Sequence, residues 1–142
     1  MIADIRQAVY LICGMKQFDR WNKLKKEVNE KQMDFFVNER EVRYAHLGHN
    51  VGYEEDGKGA DFKRPVLVLK KIGCMFVVLP MTTKGKDTKF YYRLSDLYFN
   101  KPSRVILSQL KVIDKARFIK DLAIITEEDF LNIKEKLKAL LL

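Results

Sequence analysis

The sequence predicts an α+β chain, mainly β, with a helical segment at each end. Three observations carry that class. First, Phe62 to Lys84, FKRPVLVLKKIGCMFVVLPMTTK, holds two apolar, partly β-branched runs, Pro65–Leu69 and Met75–Leu79, on either side of Lys71-Ile72-Gly73. Such runs around a glycine read as a β-hairpin. Neither run alternates, so both strands are expected to be buried on both faces. Second, short strand-like segments recur before and after this hairpin. Third, apolar side chains recur at helical spacing only near the two ends, at Phe18, Trp21, Leu24 and Val28 and again at Phe130, Ile133, Leu137 and Leu140.

Taken in order, residues 1 to about 33 read as helical. Asp19 with Lys23 and Glu27 with Lys31 are spaced for favourable pairs, and Lys16, Lys23, Lys25, Lys26 and Lys31 make the polar face basic. Packing on the domain behind it is the plain role for this segment; following a nucleic-acid backbone is the sharper one. Glu41–Leu47 reads as a strand. Residues 48–61, GHNVGYEEDGKGAD, form a glycine-broken loop with no Gly-Lys-Ser/Thr and no following helix, so it is no phosphate-binding loop of that kind. A loop of this length more often binds than merely connects. Lys89–Leu94 reads as a third strand, whose Phe90, Tyr91 and Tyr92 offer core packing or a stacking face for unpaired bases. Residues 103–113 read as one long strand or two joined by a kink, 114–121 as irregular, and 122–125 as a last short strand. Thr126 with Asp129 is a capping-box variant that opens a helix running to about Leu141, acidic in its first turn and basic later.

The chain has 142 residues and a net charge of +8, from 27 basic and 19 acidic side chains. It suits one globular domain, and its charge favours an anionic partner. A disordered chain is excluded by the 47% hydrophobic content, and no apolar run reaches transmembrane length. Asp4 comes too early, without a clear cleavage site, for the start to read as a signal peptide. Cys13 and Cys74 fit no metal or redox spacing and read as reduced, partly buried thiols of a cytoplasmic protein. His46 and His49 lack a third ligand at suitable spacing, so neither a metal nor another cofactor is expected.

A turn centred near Gly73 puts Arg64 level with Thr82, to within one residue of register. A guanidinium and a hydroxyl, with Thr83 beside them and Lys63 and Lys84 flanking, then meet at the open end of a stiff ribbon. That set suits a phosphate, because arginine presents a planar fork of donors. An ordinary hairpin with polar ends is the competing reading.

The same residues carry a resemblance. Glu41-Val42, Gly48 and Gly52, Lys63-Arg64-Pro65-Val66, then Leu79-Pro80-Met81-Thr82-Thr83, then residues 103–109 and 113–117, and a closing Glu-Glu-Asp-Phe helix follow one another in an order and spacing that resembles the PemK/MazF toxin endoribonucleases. The likeness covers about residues 39 to 142. It divides the chain into an N-terminal helical extension, 1–38, and a PemK/MazF-like domain, 39–142. It implies an SH3-like small barrel with a terminal helix, acting as a homodimer. It implies metal-independent cleavage of single-stranded RNA at a short sequence, by 2′-hydroxyl attack, to leave 2′,3′-cyclic phosphate and 5′-hydroxyl ends. It also implies a cognate antitoxin whose acidic segment lies along the RNA-binding groove. The family's catalytic arginine falls on Arg64 and its catalytic threonine or serine on Thr82. Lys63, Thr83, Lys84, Asn50, Tyr53 and Gln109 are the candidates for RNA contact. Arg43 stands where the family often has an aromatic residue, and compact members have no counterpart to residues 1–38. Two alternatives stand beside this: a CcdB-like toxin that binds DNA gyrase and cuts nothing, and a non-catalytic RNA-binding module.

Overall fold

A computed structural model describes residues 15–32, 34–95 and 98–142. The helical expectation for residues 1–14, Cys13 within them, and the part of the 95–102 loop at 96–97 lie outside the described residues. The elements in order are α1 (Phe18–Asn29), β1 (Glu41–His46), β2 (Lys63–Ile72), β3 (Met75–Thr82), β4 (Tyr91–Arg93), β5 (Arg104–Ile106), β6 (Lys111–Asp114), β7 (Phe118–Ile124) and α2 (Glu127–Leu141). All strand pairs are antiparallel, in the order β4-β5-β3-β2-β1-β7, with β6 also on β3. The mainly-β class with terminal helix is as expected. The sheet is not closed into a barrel: among the described residues, β4 and β7 end it without pairing to each other.

The β2–β3 hairpin is the centre, and its continuous apolar runs do bury both faces. Leu67 and Leu79 face one cluster, with Val42, Val105, Ile133 and Phe130; that side is covered by α2. Val66, Val68, Phe76 and Val78 face the other, with Ala45, Ile113 and Phe118. Period-two alternation sends neighbours to opposite clusters, so no position in the run is left for a polar side chain. Phe76 and Phe118 meet edge to face at 5.3 Å between ring centres.

The turn uses two residues, Gly73 and Cys74, between the paired Ile72 and Met75, and this place at the hairpin tip leaves Cys74 exposed and not partly buried as expected. Gly73 takes φ +58°, a conformation that suits glycine at the first turn position. Near the turn the pairing is one residue out of step with a register that would bring Arg64 level with Thr82. A bulge at Leu69 restores it, so that Val66 pairs with Pro80.

Several boundaries differ from the sequence expectation. The third strand shrinks to three residues, Tyr91–Arg93. Residues 103–113 are two strands joined by a 3₁₀ turn at Leu107–Gln109. The stretch expected to be irregular instead holds a 3₁₀ turn, Lys115–Arg117, and most of β7, because pairing with β1 supplies the hydrogen bonds that its weak local pattern does not announce. At α2, Thr126 accepts from Asp129 N at 3.1 Å, as a cap should. The carboxylate of Asp129 does not return to the cap. It is buried, accepting from the Tyr92 hydroxyl at 2.8 Å and the Ser95 hydroxyl at 2.7 Å, and so ties α2 to β4.

On α1, Trp21 and Val28 are buried while Phe18 is half exposed. Trp21 lies 5.7 Å from the Phe62 ring and directly over Gly48, where a Cβ would fall 2.0 Å from the indole. Arg43, the departure from the family pattern, is buried against Glu41 at 3.2 Å, bonds to Phe36 O at 3.1 Å and covers the Phe35 ring. A buried charge left without its partner is costly. Arg43→Ala is therefore expected to cost about 3–5 kcal/mol in urea unfolding, and replacing Arg43 and Glu41 together by apolar residues much less.

Candidate active site

Arg64 and Thr82 line one cavity of 190 Å³ at the open end of the hairpin, together with Lys63, Thr83, Tyr44 and Ser103. The strands set this up. Arg64 is the second residue of β2 and Thr82 the last of β3, and the bulge brings the two ends into step. Arg64 is only 8% exposed. A guanidinium has five N–H donors, and burial leaves none of them indifferent. Nε donates to Asp56 O at 2.5 Å, Nη1 to Met81 O at 3.1 Å, and Nη2 faces the Glu55 carboxylate at 2.7 Å. One N–H on each Nη remains beyond these three bonds. Thr82 Oγ1 accepts from Lys84 N at 3.0 Å, so its own O–H is left to donate.

The other sequence candidates divide into two groups. Lys63 and Thr83 line the cavity, and the Lys63 ammonium sits 4.6 Å over the Tyr44 ring. Lys84 is exposed at its edge and contributes its backbone N–H to Thr82. Asn50, Tyr53 and Gln109 are not in the cavity wall. Asn50 braces the loop: its backbone N donates to Asp56 at 2.6 Å and its amide to Leu47 O and Glu55 O. Gln109 latches the same loop, donating to Tyr53 O at 3.1 Å and accepting from Glu55 N at 3.3 Å. The Tyr53 ring itself is fully exposed.

What the sequence reasoning does not single out is the acidic run Glu54-Glu55-Asp56. An acidic triplet in the middle of a basic chain, eight residues before the arginine, is the available signal. Its anchoring comes from the N-terminal segment. Lys16 Nζ reaches Asn50 O at 2.5 Å, Gly52 O at 3.0 Å and Asp56 Oδ2 at 3.3 Å, and Gln17 N donates to His49 Nδ1 at 2.7 Å.

Among the described residues, no group of three histidine, cysteine or acidic side chains could hold a metal ion. His46 pairs with Lys63 on β1–β2 but, unlike Lys63, does not line the cavity. Its Nδ1 lies 2.7 Å from Asp61 O; a carbonyl only accepts, so Nδ1 carries the proton.

A profile of PemK-like, MazF-like toxins of type II toxin–antitoxin systems matches residues 39–141. The chain belongs to this toxin family. Solved structures agree on the fold. MazF from Deinococcus radiodurans superposes with a TM-score of 0.64 at 20% identity, over 76% of this chain and 98% of that one. The Mycobacterium tuberculosis toxin MazF-mt6 gives 0.55 at 18% identity, over 70% and 94%. An endoribonuclease bound to its cognate antitoxin, from a mycobacterial species, gives 0.55 at 13% identity, over 73% and 93%. No curated protein matches the chain at a significant level. In each of these superpositions nearly the whole of the other protein is covered, and the first residues of this toxin fall outside the family match.

Burial pushes the His46 pKa below its ordinary value of 6.5, and the Lys31 and Arg117 charges act the same way, against the Asp61 hydrogen bond. A lowered pKa means that the unfolded chain binds the extra proton more readily. His46 therefore adds stability at pH above about 6.5 that is lost as pH falls through its folded value. The urea midpoint is expected to drop from about pH 7 to about pH 5, and His46→Gln to flatten part of that drop.

Proposed function

We propose that this toxin is a metal-independent endoribonuclease that cuts single-stranded RNA at a short sequence. The observation that carries the reading is the shared cavity of Arg64 and Thr82, two donors from separate strands with Lys63 at the rim. In the reaction, the 2′-oxygen attacks the adjacent phosphorus and gives its proton to water. The bond from phosphorus to the 5′-oxygen breaks, and the leaving oxygen takes up a proton. The products carry a 2′,3′-cyclic phosphate and a 5′-hydroxyl.

Arg64 stabilises the charge that builds on the phosphate oxygens, using the two N–H groups left free by its internal bonds. Thr82 donates its O–H to the same phosphate or orients the 2′-hydroxyl. Arginine holds its proton far above neutral pH and is no general base. Lys63, Thr83 and Lys84 contact the flanking phosphates. Asn50, Tyr53 and Gln109 act on recognition through the loop that they shape, Tyr53 with an exposed ring suited to stacking. The working form is a cytoplasmic homodimer, held inactive by an antitoxin whose acidic segment takes the RNA's place. The neighbour solved with its antitoxin and the charge of +8 support that partner.

One observation favours RNA binding without cutting: the Glu55 carboxylate already occupies Nη2 of Arg64. The same assay separates the two readings. Wild type and Arg64→Ala are incubated with RNA in excess chelator, and the product ends are analysed. Cutting by wild type to cyclic or 3′-phosphate ends, lowered about 10²–10³-fold in Arg64→Ala, is the expected result. RNA bound but intact would leave the binding module, and neither binding nor cutting would sink both. Because the Glu55 carboxylate repels a phosphate brought to the same guanidinium, Glu55→Ala is expected to lower the RNA concentration at half-maximal rate, read from initial-rate curves.

A further inference from the structure

A second groove, of 540 Å³, runs between α1 and the 3₁₀ turn at Lys115–Arg117. Its volume exceeds that of the Arg64 cavity, and it shares no residue with it. One wall is helical, with Asn22, Lys25, Lys26 and Asn29, continued by Lys31; the other holds Arg117 and Asp114. We propose that this groove binds the sugar–phosphate backbone of single-stranded RNA outside the cleavage cavity, and that α1 exists on this toxin to build it. The proposal rests on the nuclease reading for the identity of the polyanion.

Four cations line the groove against one carboxylate, Asp114, which is itself engaged in capping Ala116 N at 2.8 Å. Among the described residues, none of the four takes part in an ion pair; all five such pairs lie elsewhere. Arg117 is held in place by neutral groups, donating to His46 O at 3.0 Å and lying 5.6 Å over the Trp21 ring. Lys31 donates to Phe118 O, at 3.4 Å. Positive charge is therefore in excess along the groove, with Asp114 alone set against it. An anion is drawn to such an excess, which is the physical condition for a polyanion site.

The lining also selects the kind of polyanion. Its two large apolar members, Trp21 and Val28, are buried, so no exposed apolar side chain is there to anchor an amphipathic peptide. Lysines for phosphates and two asparagine amides for sugar or base edges suit a nucleic-acid strand. The N-terminal segment supplies one whole wall, and the turn at 115–117 alone would be an open surface.

The test uses the full chain carrying Arg64→Ala, so that RNA is not consumed, and a fluorescent unstructured RNA of about 20 nucleotides titrated at several salt concentrations. Adding Lys25→Gln, Lys26→Gln and Lys31→Gln is expected to weaken binding. It should also flatten the slope of log affinity against log salt by about 2, at roughly 0.7 for each single-strand phosphate that is no longer neutralised. These three residues are exposed, and circular dichroism checks that the fold is retained. Lys134→Gln, Lys136→Gln and Lys138→Gln on α2 remove the same charge elsewhere and should leave the slope nearly unchanged. Equal slopes for the two triple variants would overturn the proposal. Unchanged RNA binding with weakened binding of polyglutamate would assign the groove to an acidic polypeptide and overturn it as well. Failure of wild type to cut RNA, with a groove-dependent salt slope retained, would sink the nuclease reading and leave the groove standing.

Discussion

The burial of one guanidinium constrains much of this molecule. Arg64 cannot sit nine-tenths buried at the end of a hairpin unless acceptors surround it. Three are provided: a carbonyl from the neighbouring strand, a carbonyl from the 48–61 loop and a carboxylate from the same loop. The strand carbonyl comes with the hairpin. The other two require the loop to fold back and stay there, which explains why so many bonds in this region have the loop as their object. Asn50 ties it internally, Gln109 holds its outer side, and Lys16 holds three of its groups. What results is an arginine with a fixed direction and two donors still uncommitted. Such an arginine suits the phosphate contact proposed for it, with an internal carboxylate resident on part of it.

The N-terminal segment has two physical roles that follow from one contact. Trp21 can rest on residue 48 only because that residue has no side chain, and this close approach brings α1 down beside the loop. On one flank of the helix, Lys16 and Gln17 are then in reach of the loop's backbone and of His49. On the other, the lysines of α1 come to face Arg117 across a groove. A helix docked through Trp21 and Val28, with Arg20, Lys23, Lys25 and Lys26 exposed along it, brings more positive charge to this side than packing alone requires.

The double-sided hairpin explains how so small a sheet supports both features. Because Val66, Val68 and Val78 feed one apolar cluster while Leu67 and Leu79 feed the other, β2 and β3 are fixed from both faces. Polar function is thereby confined to the strand ends, where Arg64 and Thr82 stand. The bulge at Leu69 matters for the same reason: without it the two ends would be out of step by one residue, and a strand shifted by one turns every side chain to the opposite face.

Elements whose signal is local can be read from the chain alone. The hairpin is legible in two apolar runs and a glycine, and α2 in its cap, charge order and stripe; the count about Gly73 brings Arg64 level with Thr82 only because a bulge at Leu69, which no local pattern announces, makes up the residue lost at the turn. The family is legible because its motifs lie at strand ends, where residue choice is dictated by chemistry and not by packing. Packing in three dimensions settles what local pattern cannot encode. Residues 118–121 become strand because β1 offers a partner, and Asp129 leaves its cap because Tyr92 and Ser95 come within reach. Asn50 and Gln109, polar residues in or near a loop, read as ligand contacts, yet folding uses them on the loop itself. The Glu55–Arg64 pair and the groove of Lys25, Lys26, Lys31 and Arg117 join residues from separate elements, and charge interactions of that kind depend on distance in space. No periodicity along the chain records them.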